Sequence, residues 1–160
     1  RSGRGRQPTR IVLDAQLRTP PESRLIATAS ESAPVLLATT AAALEVQAES
    51  AGLLARDGVE FLALPAAAGG GVSVEALLDE LGRRKWTRLL VEGGAAVLRN
   101  VIAGSLADEL WVFVSPKQAG ADAADLASLD IRELQQSMPL PEPSRSKIED
   151  DELLIFRLTE

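Results

Sequence analysis

Hydrophobic residues along this chain fall into short leucine- and valine-rich runs separated by longer stretches with helical spacing. A run of four to six such residues between turn-forming residues is typical of a buried strand. The runs that predict strands are residues 10–14, 35–40, 59–64, 88–92 and 109–115. The last run is almost continuously apolar, which predicts a strand covered on both faces.

Three helices are predicted between and after these runs, because apolar residues there recur every three or four positions. The first covers residues 41–56 and stops at Gly58, the second is capped by Ser73 and stops at Gly82, and the third follows Gly93 and closes at Gly104. The apolar faces of the three helices are formed by Leu44, Ala48, Ala51 and Leu54; by Val74, Leu77, Leu78 and Leu81; and by Val97, Leu98, Val101 and Ile102.

The alternation of strands and helices predicts an α/β fold with a mostly parallel central sheet and helices on both faces. Residues 145–149 and 153–158 flank the polar triplet at 150–152, which predicts a C-terminal antiparallel hairpin. No repeat or linker divides the 160 residues, so a single domain spanning 1–160 is expected.

Composition narrows the chemistry considerably, because the chain has no His, Cys or Tyr. Thiol nucleophiles, Ser-His-Asp triads and zinc sites built from Cys or His are therefore excluded, and no metal site is predicted. Chemistry supplied by a cofactor suits such a chain best. The apolar runs are too short for a membrane span. The net charge of −6 disfavours nucleic-acid binding.

Four arginines crowd the first ten residues, at positions 1, 4, 6 and 10. A flexible, solvated leader is the favoured interpretation, and a loop that contacts phosphate is the alternative.

The run 88–92 leads through Gly93 and Gly94 directly into a helix, which is the first candidate site. Glycines let the backbone approach a ligand closely, and the free amides of a helix N-terminus are suited to phosphate. Glu92, at the end of the predicted strand, could accept hydrogen bonds from ligand N–H groups. The alternative is a tight turn beside a solvated glutamate.

Asp14 to Arg18, after the first strand, could line the same crevice, although the favoured interpretation is that Asp14 caps a turn and Arg18 is solvated. Lys117, a basic residue after a predicted strand, could likewise contact a ligand, but it is more often a surface lysine. Trp86 and Trp111 are expected to be core or half-buried packing residues rather than a stacking platform.

Three stretches together resemble the C-terminal reductase domain of the bifunctional riboflavin-biosynthesis deaminase/reductase. They are residues 7–20 with the sequence around Val12-Leu13-Asp14, residues 89–94 with Glu92-Gly93-Gly94, and residues 107–117 ending in Ser-Pro-Lys. The resemblance runs from about Arg6 to the C-terminus.

The resemblance implies a dihydrofolate-reductase-like fold and NADPH-dependent reduction of the ribosyl group of 5-amino-6-(5-phosphoribosylamino)uracil. It also implies a cytoplasmic homodimer that acts on a small pyrimidine. Glu92 matches the family's pyrimidine-contacting glutamate. The stretch that would hold the cofactor phosphates is Gly94, Ala95, Ala96, Val97, Leu98, Arg99 and Asn100. No catalytic residue is assigned.

The chain departs from the family at three places. Ala15 stands where the family has a Ser or Thr that bonds the cofactor, and Ala95-Ala96 replaces a Pro-Thr pair. The N-terminal portion of the domain, including its first strand, has no counterpart here, so the domain is expected to be incomplete. Two alternatives remain: a non-catalytic ligand-binding or assembly module of the same fold, and a related reductase acting on a pterin-like substrate.

Overall fold

The computed structural model describes residues 7–117 and 140–159. The chain divides into two compact units, Arg1–Thr87 and Arg88–Glu160, and each is described by itself. That residues 1–160 make up a single domain stays a prediction.

The first unit is built on a three-stranded parallel sheet. Its strands are β1 (Arg10–Leu13), β2 (Val35–Thr39) and β3 (Val59–Ala63), in the order β1-β2-β3. All three were predicted from the sequence. Because the strands are parallel, their carboxyl ends lie at one edge of the sheet, where α/β proteins commonly bind ligands.

Four helices accompany this sheet: α1 (Arg24–Ala27), α2 (Ala41–Val46), α3 (Ala48–Leu54) and α4 (Val74–Arg83). The sequence predicted one helix over 41–56, and this prediction is wrong in one respect. Gln47 leaves the helical region with φ −107° and ψ 36°, so the helix is split there. Ala48, which was predicted on the apolar face, is exposed just after the split.

Side chains of β2 alternate between two hydrophobic clusters, one on each face of the sheet. Val35 and Leu37 pack with buried residues from α1, α2 and α3, whereas Leu36 and Ala38 pack with Leu77 and others from α4. Helices on both faces of the parallel sheet are therefore confirmed. Every residue of β2 is buried, which explains its continuous apolar pattern.

Ser73 begins α4 as the sequence predicted. Its Oγ accepts a hydrogen bond from the Ala76 N–H at 3.1 Å. Along the helix Val74, Leu77 and Leu81 are buried and Leu78 is half-buried, which confirms the predicted apolar face.

The described residues of the second unit form α5 (Ala95–Ala103) and three antiparallel strands. These are β4 (Glu109–Val114), β5 (Ser144–Ile148) and β6 (Asp151–Arg157), in the order β4-β6-β5. The predicted C-terminal hairpin is confirmed as β5 and β6, and β4 pairs with β6 along its whole length. The α/β class is thus confirmed, with one parallel sheet and one antiparallel sheet.

Residues 88–92, predicted as a strand, have no regular secondary structure. A parallel strand needs hydrogen bonds from a neighbour, and no strand of the described part of the chain pairs with this run. Its apolar side chains are consequently unprotected, and Leu90 is 79 % exposed.

The prediction that the run 109–115 is covered on both faces is also wrong. Leu110 and Val112 are half-buried on one face of β4, but Trp111 and Phe113, on the other face, are 54 % and 60 % exposed. Trp111 is therefore not a core residue. Among the described residues, no helix is long and apolar enough to cross a membrane.

Candidate functional site

The predicted diglycine turn leads into α5 as the sequence indicated. Gly94 is the N-cap, with φ −65° and ψ 166°, and its carbonyl accepts hydrogen bonds from the N–H groups of Val97 and Leu98. None of the described side chains caps this end, and the first turn carries no acidic residue. The helix start thus has the amide groups and partial positive charge that suit an anion.

The two glycines of this turn have different surroundings. A Cβ on Gly93 would lie 2.9 Å from the Cβ of Val97, which is too close for any larger residue without a shift of the helix. A Cβ on Gly94 would have no atom of the described residues within 4 Å beyond its chain neighbours and its own helix backbone. Gly93 is therefore required by packing, whereas Gly94 leaves open space in front of the first turn of α5.

The other predicted residues of this stretch follow the geometry of α5. Val97 and Leu98 are half-buried, while Ala96, Arg99 and Asn100 are exposed. Val101 and Ile102 anchor the helix below them, at 5 % and 4 % exposure. The backbone at the start of the helix and the side chains of its exposed face are thus the parts that a ligand could reach.

Glu92 lies three residues before Ala95, the first residue of α5, and is exposed. The prediction that Glu92 ends a strand is wrong, because residues 88–92 pair with no strand in the described part of the chain. Its carboxylate is nevertheless carried by the segment that enters the diglycine turn.

In the first unit, Asp14 follows β1 and closes a tight turn, as the favoured sequence interpretation held. It is 8 % exposed, and its Oδ2 accepts hydrogen bonds from both the N–H and the Oγ1 of Thr19, each at 2.7 Å. Inside this turn Leu17 has φ 54° and is buried, an unusual conformation for a branched residue. Arg18 is exposed, as expected.

The turn lowers the pKa of Asp14 below its ordinary value. Burial alone would raise the pKa, but hydrogen bonds from the main chain of Arg18, from the side chain and main chain of Thr19, and from the main chain of Gln16 outweigh it. These donors stabilise the ionised carboxylate.

We therefore expect Asp14 to stabilise the fold in a pH-dependent manner. Because its folded pKa is below the unfolded value of about 3.9, the contribution is present above that pH and is lost as pH falls towards the folded pKa. Asp14→Asn should lower the free energy of unfolding by about 2 kcal/mol at pH 7, through the lost hydrogen bonds to a charged acceptor. Urea unfolding at pH 7 and at pH 3 measures the difference.

The exposed helix residue Asp79 offers a matched control, and Asp79→Asn should change little at either pH. If the parent protein and Asp14→Asn differed in free energy of unfolding as much at pH 3 as at pH 7, the pH-dependent role of Asp14 would be contradicted.

Ala15, the position where the resemblance implied a missing hydroxyl, is half-buried directly after Asp14. Its carbonyl oxygen accepts a hydrogen bond of 3.1 Å from Oγ1 of Thr40, the N-cap of α2. Sequence reasoning did not identify Thr40. The signal available was a threonine placed immediately before a helical stretch, which is typical of an N-cap.

The remaining candidates have surface or structural roles. Lys117 is exposed at the end of β4, and Trp86 is 36 % exposed after α4. Arg10 donates hydrogen bonds to Oγ1 of Thr28 and to the Ala33 carbonyl, so it joins loop segments within the first unit. The arginines at positions 1, 4 and 6 lie outside the described residues. In the described ranges, no group of His, Cys, Asp and Glu residues could hold a metal ion.

Comparison with known proteins identifies the family. The sequence profile of the RibD C-terminal domain matches residues 1–136. The chain is 27 % identical over 152 residues to the riboflavin biosynthesis protein RibD of Aquifex aeolicus. This alignment covers 95 % of this chain and 39 % of the Aquifex protein. The chain is 29 % identical over 117 residues to the 2,5-diamino-6-ribosylamino-4(3H)-pyrimidinone 5′-phosphate reductase of Archaeoglobus fulgidus, covering 72 % and 48 %.

A solved structure supports the same fold. Acinetobacter baumannii RibD superposes with a TM-score of 0.68 at 22 % identity, over 96 % of this chain and 38 % of that one. The chain therefore spans about two fifths of the length of the RibD proteins that it matches. The fold is that of the matching part of A. baumannii RibD, and the chain belongs to the RibD C-terminal domain family.

Proposed function

We propose that this chain is part of an NADPH-dependent reductase of riboflavin biosynthesis, with 5-amino-6-(5-phosphoribosylamino)uracil as its substrate. The observation that carries the proposal is the Glu92-Gly93-Gly94 turn at the start of α5, within a chain of the RibD C-terminal domain family. The A. fulgidus relative, named a pyrimidinone phosphate reductase, supports the same substrate class.

The start of α5 is the proposed binding site for the cofactor phosphates. Its uncapped amides, the lack of acidic residues in its first turn and the open space in front of Gly94 all fit an anionic group. Residues 94–100 would hold the phosphates through main-chain N–H groups and the exposed face of the helix. Arg99, on that face, adds a positive charge.

NADPH, when bound, supplies the hydride that reduces the ring-opened or Schiff-base form of the ribosyl group. The chain's own residues bind and orient the two reactants, since it has no His or Cys for acid–base or covalent work. Glu92 would accept hydrogen bonds from the N–H groups of the pyrimidine and so fix its position.

Glu92→Gln should therefore weaken use of the pyrimidine substrate and leave NADPH affinity nearly unchanged. Loss of a charge-assisted hydrogen bond costs about 1.5–3 kcal/mol, which corresponds to a decrease in kcat/KM of about 10- to 150-fold. Steady-state kinetics and NADPH titration of the full-length protein measure the two effects. Glu45→Gln, at an exposed position of α2, is the matched control. An unchanged kcat/KM for Glu92→Gln would remove Glu92 from the site.

The proposed protein is a cytoplasmic homodimer. The exposed face of β4, with Trp111 and Phe113, supports association, because large exposed aromatic side chains are typical of interfaces. Light scattering on the full-length protein tests the dimer.

NADPH oxidation that depends on the pyrimidine substrate is the direct test of the whole proposal. The replacement of a cofactor-bonding Ser or Thr by Ala15 specifically favours the alternative of a non-catalytic binding module. Binding of both ligands without turnover by the full-length protein would support that alternative.

A further inference from the structure

Asp57 and Gly58 are the central residues of a tight turn that leads into β3. The Val59 N–H donates to the Arg56 carbonyl at 3.1 Å, which closes the turn, and Gly58 has a φ of 78°. A positive φ at the third residue of such a turn is typical of the type II turn and favours glycine there. This is the only Asp-Gly pair in the sequence, and the sequence has no Asn-Gly pair.

The side chain of Asp57 is not held away from the peptide group that follows it. Asp57 is exposed, and among the described residues its carboxylate takes part in no hydrogen bond or ion pair. Gly58 has no side chain to shield its main-chain nitrogen. In the described part of the chain β3 is an edge strand, and the turn itself is closed by one main-chain hydrogen bond. The turn can therefore open locally at a lower cost than the interior of the sheet.

We propose that Asp57-Gly58 is a site of spontaneous isomerisation to isoaspartate. When the turn opens, the Gly58 nitrogen attacks Cγ of the protonated Asp57 carboxyl group, the nitrogen loses its proton, and a water molecule leaves. The product is a five-membered succinimide ring. A second water molecule then opens the ring at the main-chain carbonyl carbon of Asp57. The chain now continues through the former side-chain carboxyl carbon, with no net change in composition.

The packing of Gly58 determines what this change does to the fold. The Gly58 carbonyl accepts a hydrogen bond of 2.8 Å from the Val35 N–H, where the pairing of β2 with β3 begins. Gly58 also lies so close to the main chain of Ser30 that a Cβ would overlap it. An isoaspartyl link adds one carbon atom to the main chain directly before Gly58. Because Gly58 has no space to shift towards Ser30, the isomerised chain loses the first pairing of β2 with β3.

Warm incubation of the full-length protein at neutral pH, followed by peptide mapping, tests the site. With protein L-isoaspartate methyltransferase as the probe, we expect isoaspartate at Asp57 and none at Asp79, which is exposed but lies within α4 before a glutamate. Asp57→Glu should abolish the signal, because its side chain would have to close a six-membered ring. Asp57→Asn should form isoaspartate faster, since at neutral pH an amide is attacked more readily than an ionised carboxylate. Both variants should fold, because the Asp57 side chain has no polar partner among the described residues.

Hydrogen exchange of the isomerised fraction tests the effect on the sheet. The amides of β3 should exchange about 2- to 10-fold faster after isomerisation, as expected for the loss of one main-chain hydrogen bond, whereas the amides of α4 should be unchanged. Absence of isoaspartate at Asp57, or equal amounts at Asp57 and Asp79, would overturn the assignment of the site. Isomerised protein in which the β3 amides exchange as before would overturn the expected loss of strand pairing.

Discussion

The 160 residues on their own are expected to self-associate and to bind no NADPH measurably. β1 and β4 each form an edge of their sheet in the described part of the chain, so each presents a row of main-chain N–H and C=O groups to solvent. The apolar run 88–92 likewise has no partner strand among the residues that the structure describes. Open strand edges and exposed apolar side chains both promote association between molecules.

The comparison that tests this expectation uses the 160-residue chain and the full-length protein. Size-exclusion chromatography with light scattering should show a mixture of large species for the short chain and one species for the full-length protein. NADPH titration should give binding only for the latter.

The variant Phe113→Lys tests whether the short chain fails to bind NADPH because it aggregates or because its binding site is incomplete. A lysine on β4 should discourage association of the short chain through its charge, yet should not restore NADPH binding. A monodisperse, active monomer of the unaltered 160 residues would show that the fold is complete without further strands, and the expectation would be wrong.

Gly94→Val is expected to abolish NADPH binding while the protein stays folded. The φ of Gly94, −65°, is ordinary for any residue, and a Cβ there meets none of the described neighbouring atoms within 4 Å, so the fold should tolerate the side chain. The branched side chain would occupy the space through which a phosphate approaches the amides of α5. Loss of two charge-assisted hydrogen bonds, at about 1.5–3 kcal/mol each, lowers affinity by at least about 100-fold.

Gly93→Ala is the matched control, since its effect should be the opposite. Its Cβ would crowd Val97, so stability should fall by about 1–3 kcal/mol. Combination with Val97→Ala should recover part of that loss by making space. Normal NADPH affinity together with a collapsed Tm in Gly94→Val would instead mean that the diglycine turn serves packing alone.

The parts of the fold that sequence reasoning predicted correctly depend on local patterns. β2 is buried on both faces and reads as a continuous apolar run, and α4 has both its Ser73 cap and its apolar face in ten residues. The β5–β6 hairpin is likewise contained in a short segment around a polar turn. Each of these elements is specified by residues close together in the chain.

The predictions that were wrong depend on partners that are distant in sequence. Residues 88–92 have the composition of a strand, but a strand forms only where another strand supplies hydrogen bonds. The run 109–115 was expected to be buried because it is apolar, yet what covers a face of β4 is decided by other segments. The break at Gln47 was missed because one residue that leaves the helical region does not change the spacing of apolar residues in the sequence.

In the candidate site, too, features set by neighbouring residues could be predicted, and features that join distant residues could not. The diglycine and α5 are consecutive, so the start of this helix could be predicted from the sequence, whereas the strand expected to end at Glu92 was not found. The contact between Thr40 and Ala15 joins residues 25 positions apart and could not. The roles of Glu92, Ala15 and residues 94–100 toward ligands stay predictions.

The placement of the two tryptophans makes each unit separately visible by fluorescence. Trp86 belongs to the first unit and Trp111 to the second, both are partly exposed, and the chain has no tyrosine to add emission. Trp86→Phe and Trp111→Phe would each leave a single emitter. Coincident urea transitions for the two variants would show that the units unfold as one cooperative body, whereas separate midpoints would show that the units unfold independently.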